Sequence, residues 1–337
     1  MYQNQTYYFL IVISIYLSIS IISTKSKIAA VCFFVLSLSG LTNIFHPEIF
    51  SPWMNPQNRE TISYVSSCTF AYMVLSWLFV FLLTKKEINQ LIEAFSWICI
   101  ANSLFIIWET FSGRPAWGML LNTSSEGTFL AIMTPIIFFK EDQAIYKHKS
   151  LFIIPVIAVF CTTSSMGICG IALGIGAYLY AKNGFKYFYE AAFLVGLVLI
   201  AGYWRVGSGL FNDSLRYVCW QWSTEWWIKN ANYLTGTGLG SYFSLGPYIQ
   251  ILNNKQVGNY YTFMHNEILQ YVFEMGVIGL LTMAVSAITS LYRSFNRPWL
   301  WSCAVVCISQ CVFNIPCHYI LTSTVMLIVF RVSIERE

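Results

Sequence analysis

Apolar residues in this chain fall in long unbroken runs. They show neither the alternation of a half-buried strand nor the 3.6-residue stripe of a surface helix. A helix needs roughly 20 apolar residues to cross a bilayer, and runs near that length recur along the whole chain. They predict eleven spans, near 7–23, 28–45, 61–83, 88–108, 126–139, 150–162, 165–181, 188–204, 264–291, 299–314 and 316–331. The runs at 126–139 and 150–162 are short for a crossing, so one of them is expected to be tilted, broken or re-entrant. The first run, Tyr7 to Ser23, has no basic residue before it and no small-residue cleavage site after it. It therefore reads as a retained helix and not as a signal peptide. The expected fold is all-α, a single polytopic membrane domain over 1–337.

Composition strengthens this reading. The chain is 57% hydrophobic and 18% aromatic, with only 10% charged residues, whereas a soluble domain carries about 25% charge. The few charges also set an orientation. With the N-terminus outside, the inside segments hold Lys25, Lys27, Lys85, Lys86, Lys140, Lys147, Lys149, Lys182, Lys186, Arg293, Arg297, Arg331 and Arg336. Every inside segment then has at least two basic residues, and the C-terminus is cytoplasmic, as basic residues favour. Arg59, Arg114, Arg205, Arg216, Lys229 and Lys255 fall outside. The net charge of +4 is accounted for by the inside loops, and no basic, aromatic-interleaved patch for nucleic acid is present.

One connection is far longer than the rest. Residues 205–263 form an extracytoplasmic segment too aromatic for disorder. Asn212, Asp213 and Ser214 offer helix caps, and Leu215, Val218, Cys219, Trp222 and Trp226 follow at helical spacing, with Arg216, Trp220 and Trp227 on another side. The segment is expected to carry an interfacial helix anchored by tryptophans, and a sugar-stacking lid is compatible with that.

The sequence next turns specific. Thr235-Gly236-Thr237-Gly238-Leu239-Gly240 leads to Tyr242 and Phe243. His265-Asn266-Glu267-Ile268-Leu269-Gln270 follows, then Glu274-Met275-Gly276-Val277-Ile278-Gly279 inside an apolar helix. A glycine-rich turn alone is weak evidence, and this one lacks the Lys-Ser/Thr of a phosphate loop. Taken together, the long outer loop, the glycine turn, His-Asn at a helix mouth and the Gly-x-x-Gly after a buried Glu resemble the O-antigen ligase and polymerase superfamily of integral membrane glycosyltransferases. The resemblance covers 110–292 and is strongest over 216–280. Arg216 matches the family's loop arginine. Gly113-Arg114 with Gly118, Asn122 and Pro135 resembles its upstream Arg-x-x-Gly region. Thr162-Thr163-Ser164-Ser165-Met166-Gly167 is similar to a stretch that in the family reads Ser-Arg-Gly, with Met166 in place of the arginine, and eleven spans stand where the family has twelve.

The resemblance implies a substrate, an oligosaccharide carried on undecaprenyl diphosphate at the outer leaflet, and a bacterial inner membrane location with a periplasmic active face. Cations must bind the diphosphate leaving group, and a base must deprotonate an acceptor hydroxyl, a frequent histidine role. On this basis Arg216, Arg205 and Arg114 are assigned to the diphosphate and His265 to acceptor activation. Glu274, Asn266, Gly238 and Gly240 support the site. Displacement at the anomeric carbon would invert it. Arg205 also reads as a snorkelling residue at a span end, Glu274 as a structural carboxylate, and His318 as a further residue near the outer edge. No cofactor is expected; the partners are the lipid-linked oligosaccharide, the bilayer and a chain-length regulator protein.

Metal chemistry has little to build on. The chain contains two aspartates, Asp142 and Asp213, on opposite sides of the membrane by this topology, and no His, Cys or carboxylate cluster has ligand spacing. Cys303, Cys307 and Cys311 share one helical face and read as small core residues. Cys219 alone lies clearly outside the spans, so no disulfide framework follows. Polymerization of repeat units is the leading expectation. The alternatives are ligation of finished polymer to lipid A core, transport of lipid-linked sugars, disfavoured by the lack of an internal repeat, and a non-enzymatic scaffold.

Overall fold

The structure, a computed structural model, describes residues 76, 80–140, 150–207, 214–253, 261–314, 317 and 320–334. The spans expected near 7–23 and 28–45, and most of the one near 61–83, lie outside the described residues, as do Asp142, Asp213, Lys255 and His318. Ten α-helices are described, and there is no strand among the described residues. They are α1 (Lys85–Phe111), α2 (Thr123–Phe139), α3 (Ile153–Thr162), α4 (Ser165–Asn183), α5 (Phe188–Val206), α6 (Ser214–Asn230), α7 (Tyr242–Asn253), α8 (Glu267–Ser294), α9 (Pro298–Phe313) and α10 (Ile320–Ile334). Lys85–Phe111, Ser165–Lys186 and Glu267–Ser294 are long and apolar enough to cross a membrane by length and composition, and three further helices are apolar but shorter. The chain is thus an all-α, membrane-associated protein.

The described residues gather into two compact units. The first takes in 83–213 and 287–336 and packs α4 against α2, α5 and α9. Its helix ends are set by local chemistry. Thr84 opens α1 with a reciprocal capping box: its hydroxyl accepts the Glu87 N–H and the Glu87 carboxylate accepts the Thr84 N–H. Asn122 caps α2 by accepting the N–H groups of Ser124 and Ser125, and Ser164 caps α4 through Gly167.

Opposite ends of this bundle carry opposite chemistry. At one end, arginines satisfy helix-terminal carbonyls that have no partner within their own helix. Arg293 donates to Ile334 O at 2.8 Å, Arg297 to Val332 O at 2.9 Å, and the buried Arg331 to Leu83 O. At the other end is a buried polar network. The Thr128 hydroxyl donates to Gln310 Oε1 (2.8 Å) and accepts from Asn314 Nδ2 (2.6 Å), while Gln310 Nε2 donates to Met166 O (2.8 Å). The position where the resemblance expects an arginine is therefore tied down through its backbone carbonyl.

The second unit includes 214–286. Its core joins Tyr242, Leu245, Ile249, Met264 and Phe273, flanked by Trp220, Trp222, Trp226 and Trp227. Both sets of aromatic positions read from α6 pack on this core. The inward stripe runs through Arg216, Cys219, Trp220, Ser223, Trp226 and Trp227, and Tyr217, Gln221, Thr224, Glu225 and Ile228 point outward. The two faces read from sequence merge because helix positions 3, 4 and 7 residues apart share one side. The structure also adds α7, a second helix of the 205–263 segment that the sequence reading left out.

Candidate functional site

The second unit is organised around a break in α8. Gly276 has φ 61° and ψ −151°, a backbone region essentially confined to glycine. In a continuous helix the N–H groups of Val277 and Ile278 would bond the carbonyls of Phe273 and Glu274. Here they turn to Tyr233 O (2.9 Å) and Leu234 O (3.2 Å). The two released carbonyls accept instead from Thr237 N–H (3.0 Å) and Gly238 N–H (2.7 Å). The segment 233–238 thus inserts its backbone into the break and replaces two helical bonds with four. The Phe273 carbonyl accepts two more, from the Thr237 hydroxyl and the Trp227 indole, each at 3.0 Å. This interlock explains why the glycine-rich turn and the Glu-x-Gly pattern belong together although nearly forty residues separate them.

Glu274 completes the junction. Its carboxylate accepts the N–H of Gly240 (2.8 Å) and of Tyr242 (3.2 Å) at the start of α7, and Gln270 Nε2 (3.2 Å). These bonds engage both oxygens in holding one helix start against another. This is the geometry that a structural carboxylate requires. Replacing Glu274 by Gln puts an amide donor against one of the two backbone N–H groups. The expected cost is about 2–3 kcal/mol, typical of losing a charge-assisted bond and stranding a buried donor. A thermal melt of the purified variant checks it, with Glu274→Asp as the comparison that keeps the charge.

Next to this junction lies the His265 corner. His265 has φ 51°, a left-handed conformation uncommon for any residue with a side chain, though His enters it more readily than most. The residues around it are fixed on both sides. Met264 N–H donates to Gln270 Oε1 (3.1 Å), and Met264 O accepts from the Trp220 indole. Asn266 is the cap of α8: its Oδ1 accepts the Leu269 N–H (2.9 Å) and its carbonyl the Gln270 N–H (3.0 Å). The helix therefore begins at Glu267 and not at 264, because the left-handed His265 cannot continue it. The His265 ring meets the Tyr261 ring edge to face, centroids 5.3 Å apart at 83°.

Arg216 stands in the first turn of α6, one helical turn before Trp220 and on its stripe. Since Trp220 bonds the residue preceding His265, the stripe that carries the arginine is the one applied to the His265 corner. The indole N–H groups of Trp220 and Trp227 donate to backbone carbonyls, so these two half-buried tryptophans anchor α6 to the core. Tyr242 is no rival base. Burial raises its phenol above the usual range, only partly offset by the hydrogen bond with Ser223 at 3.0 Å.

The other two predicted arginines belong to the first unit. Arg205 is exposed in the last turn of α5. Arg114 is exposed after α1, its guanidinium 5.0 Å over the Trp108 ring. The loop that carries it is pinned by acids. Gly118 N–H donates to Glu109 (2.9 Å), Met119 N–H to Asn102 Oδ1 (2.9 Å) and Leu120 N–H to the fully buried Glu126, which also accepts Asn102 Nδ2 (2.6 Å). The structure thus brings together His265, Asn266, Glu274, Gly238, Gly240 and Arg216 in one unit and leaves Arg114 and Arg205 in the other.

Three residues of the site were not singled out from sequence. Gln270 links Met264 to Glu274 and carried a signal, since it lies four residues before Glu274 on one helix face. Gln250 and Tyr261 carried none. Among the described residues no three His, Cys, Asp or Glu side chains gather as a metal site. Set against family models, curated proteins and solved structures, the chain matches none.

Proposed function

We propose that this protein is a polymerase of undecaprenyl-diphosphate-linked oligosaccharides, working at the periplasmic face of the bacterial inner membrane. The observation that carries the reading is His265, held on a left-handed backbone between two fixed neighbours, with Arg216 on the helix stripe applied to that corner. Backbone held in an uncommon region by surrounding bonds is a frequent mark of a working residue. In this reading the end of the first unit that gathers Arg293, Arg297 and Arg331 faces the cytoplasm, where basic residues are favoured.

In this reading Arg216 binds the diphosphate of the donor. His265 takes the proton of the acceptor hydroxyl. The acceptor oxygen attacks the anomeric carbon, forming the new glycosidic bond as the bond to the diphosphate breaks. Undecaprenyl diphosphate leaves and the anomeric configuration inverts. Asn266, Glu274, Gly238 and Gly240 hold the framework and do not touch the reacting atoms.

Deleting the gene and resolving the host's surface polysaccharide on a gel tests the function. Lipid A core capped by a single repeat unit is the expected result. Bare core, with long polymer accumulating on the lipid carrier, would make the protein a ligase. An unchanged profile would remove surface-polysaccharide assembly as the function.

A further inference from the structure

We infer that Gln250 and Tyr261 are positioning residues that orient the His265 ring, an assignment that rests on the proposed role of His265. Gln250 lies on α7 and is buried to 1% exposure. Its side-chain amide bonds both backbone groups of Tyr261: Nε2 donates to Tyr261 O (2.8 Å) and Oε1 accepts from Tyr261 N–H (2.9 Å). The amide therefore acts as a one-residue strand partner, fixing position and rotation of the Tyr261 backbone at once. No single bond would achieve this, because a backbone held at one atom still swivels about it.

The consequence is transmitted to the imidazole. The Tyr261 ring stands at 83° to the His265 ring, an edge-to-face arrangement at 5.3 Å that aromatic pairs favour. A histidine on a fixed backbone retains two free side-chain torsions, and a general base works only when its nitrogen faces the hydroxyl it must deprotonate. The backbone of His265 is set by Met264 and Asn266; its ring is set by Tyr261, and Tyr261 is set by Gln250. The amide of Gln250 is thus two contacts away from the nitrogen whose direction it governs. Its burial has no other visible use, since both functional atoms of the side chain are committed to Tyr261.

The test uses full-length protein in detergent with a lipid-diphosphate oligosaccharide donor, and reads kcat, KM for the donor and thermal stability. In Tyr261→Phe the ring edge stays and kcat should remain within about twofold of the parent. In Tyr261→Leu the ring is lost and kcat should fall about 10- to 100-fold, the scale expected for a misdirected catalytic group. Donor KM should change little, since Arg216 is untouched. Gln250→Met keeps the volume and removes both bonds, so it should lower kcat in the same way by a smaller factor, and Gln250→Glu should not restore it. A Tyr261→Leu enzyme with parental kcat overturns the inference, as does a loss confined to KM or fully accounted for by unfolding. His265→Ala separates this outcome from the larger reading: if it also retains full transfer, the proposed role of the histidine fails first. If only the Tyr261 and Gln250 variants are silent, the histidine keeps its role and the positioning residues lose theirs.

Discussion

Replacing His265 by glycine should abolish transfer while leaving the protein as stable as the parent, within a few degrees of melting temperature. A left-handed backbone costs a side-chain-bearing residue about 1–2 kcal/mol, and His265 adopts it at φ 51°. Glycine removes that cost and adds a comparable one, about 1 kcal/mol of extra chain entropy lost on folding. The lost edge-to-face contact with Tyr261 adds about 0.5–1.5 kcal/mol. These contributions nearly cancel. Catalysis has no such compensation, since a positioned base contributes about 10²- to 10⁴-fold. His265→Ala loses the same catalysis but keeps the backbone cost, so it should melt below the glycine variant. A melt of both proteins beside a transfer assay decides the matter. Full activity in the glycine variant excludes the histidine as the base, and a collapse of its melting temperature would mark the side chain as structural.

The parts of this protein that were legible in its sequence are those governed by local composition. Helices α1, α2, α4, α5 and α9 fall where apolar runs predicted them, because a run of that length has few other uses. The helix start at Ser214 was equally readable from short-range polar residues, whereas the cap at Asn122, which starts α2 before the expected 126, was not read. Helix α7 was not, since Gly246 and Pro247 lie inside it and both residues argue against a helix interior. It forms because Glu274 holds its first turn and Tyr242, Leu245 and Ile249 enter the core.

At the site the division is similar. His265, Asn266, Glu274 and the glycines were picked out as a pattern, and they do lie in one unit. What the pattern withheld was their division of labour. The carboxylate at 274 reads as supporting, but what it supports, the N–H groups of Gly240 and Tyr242, was not visible. The tryptophans of α6 read as interfacial anchors, and the carbonyls that hold two of them, Met264 O for Trp220 and Phe273 O for Trp227, were not visible. In each case the deciding partner lies more than thirty residues away, and single-chain periodicity carries no information at that range.

The break in α8 is the sharpest instance, and it yields a prediction with an internal control. Gly276 and Gly184 share nearly the same backbone, φ 61° and ψ −151° against φ 58° and ψ −140°. Both should resist a side chain by about 1–3 kcal/mol for backbone reasons alone. Their surroundings differ completely. A Cβ at Gly184 meets nothing within 4 Å, whereas at Gly276 it lies 2.5 Å from Tyr233 O and 2.6 Å from Leu234 C. Those atoms are backbone of the inserted segment and are held there by the bonds that bridge the break. Gly236, within the inserted segment, approaches the helix just as closely, its own Cβ position 2.5 Å from Glu274 C and Met275 N, so segment and helix are in backbone contact at both glycines. Overpacking of this kind adds about 1–3 kcal/mol. Gly276→Ala should therefore melt well below Gly184→Ala and lose transfer, whereas Gly184→Ala should keep transfer near the parental rate. Equal losses of melting temperature in the two variants would mean that the 233–238 segment shifts freely. The glycine turn would then be a neighbour of the helix break and no part of what fixes it.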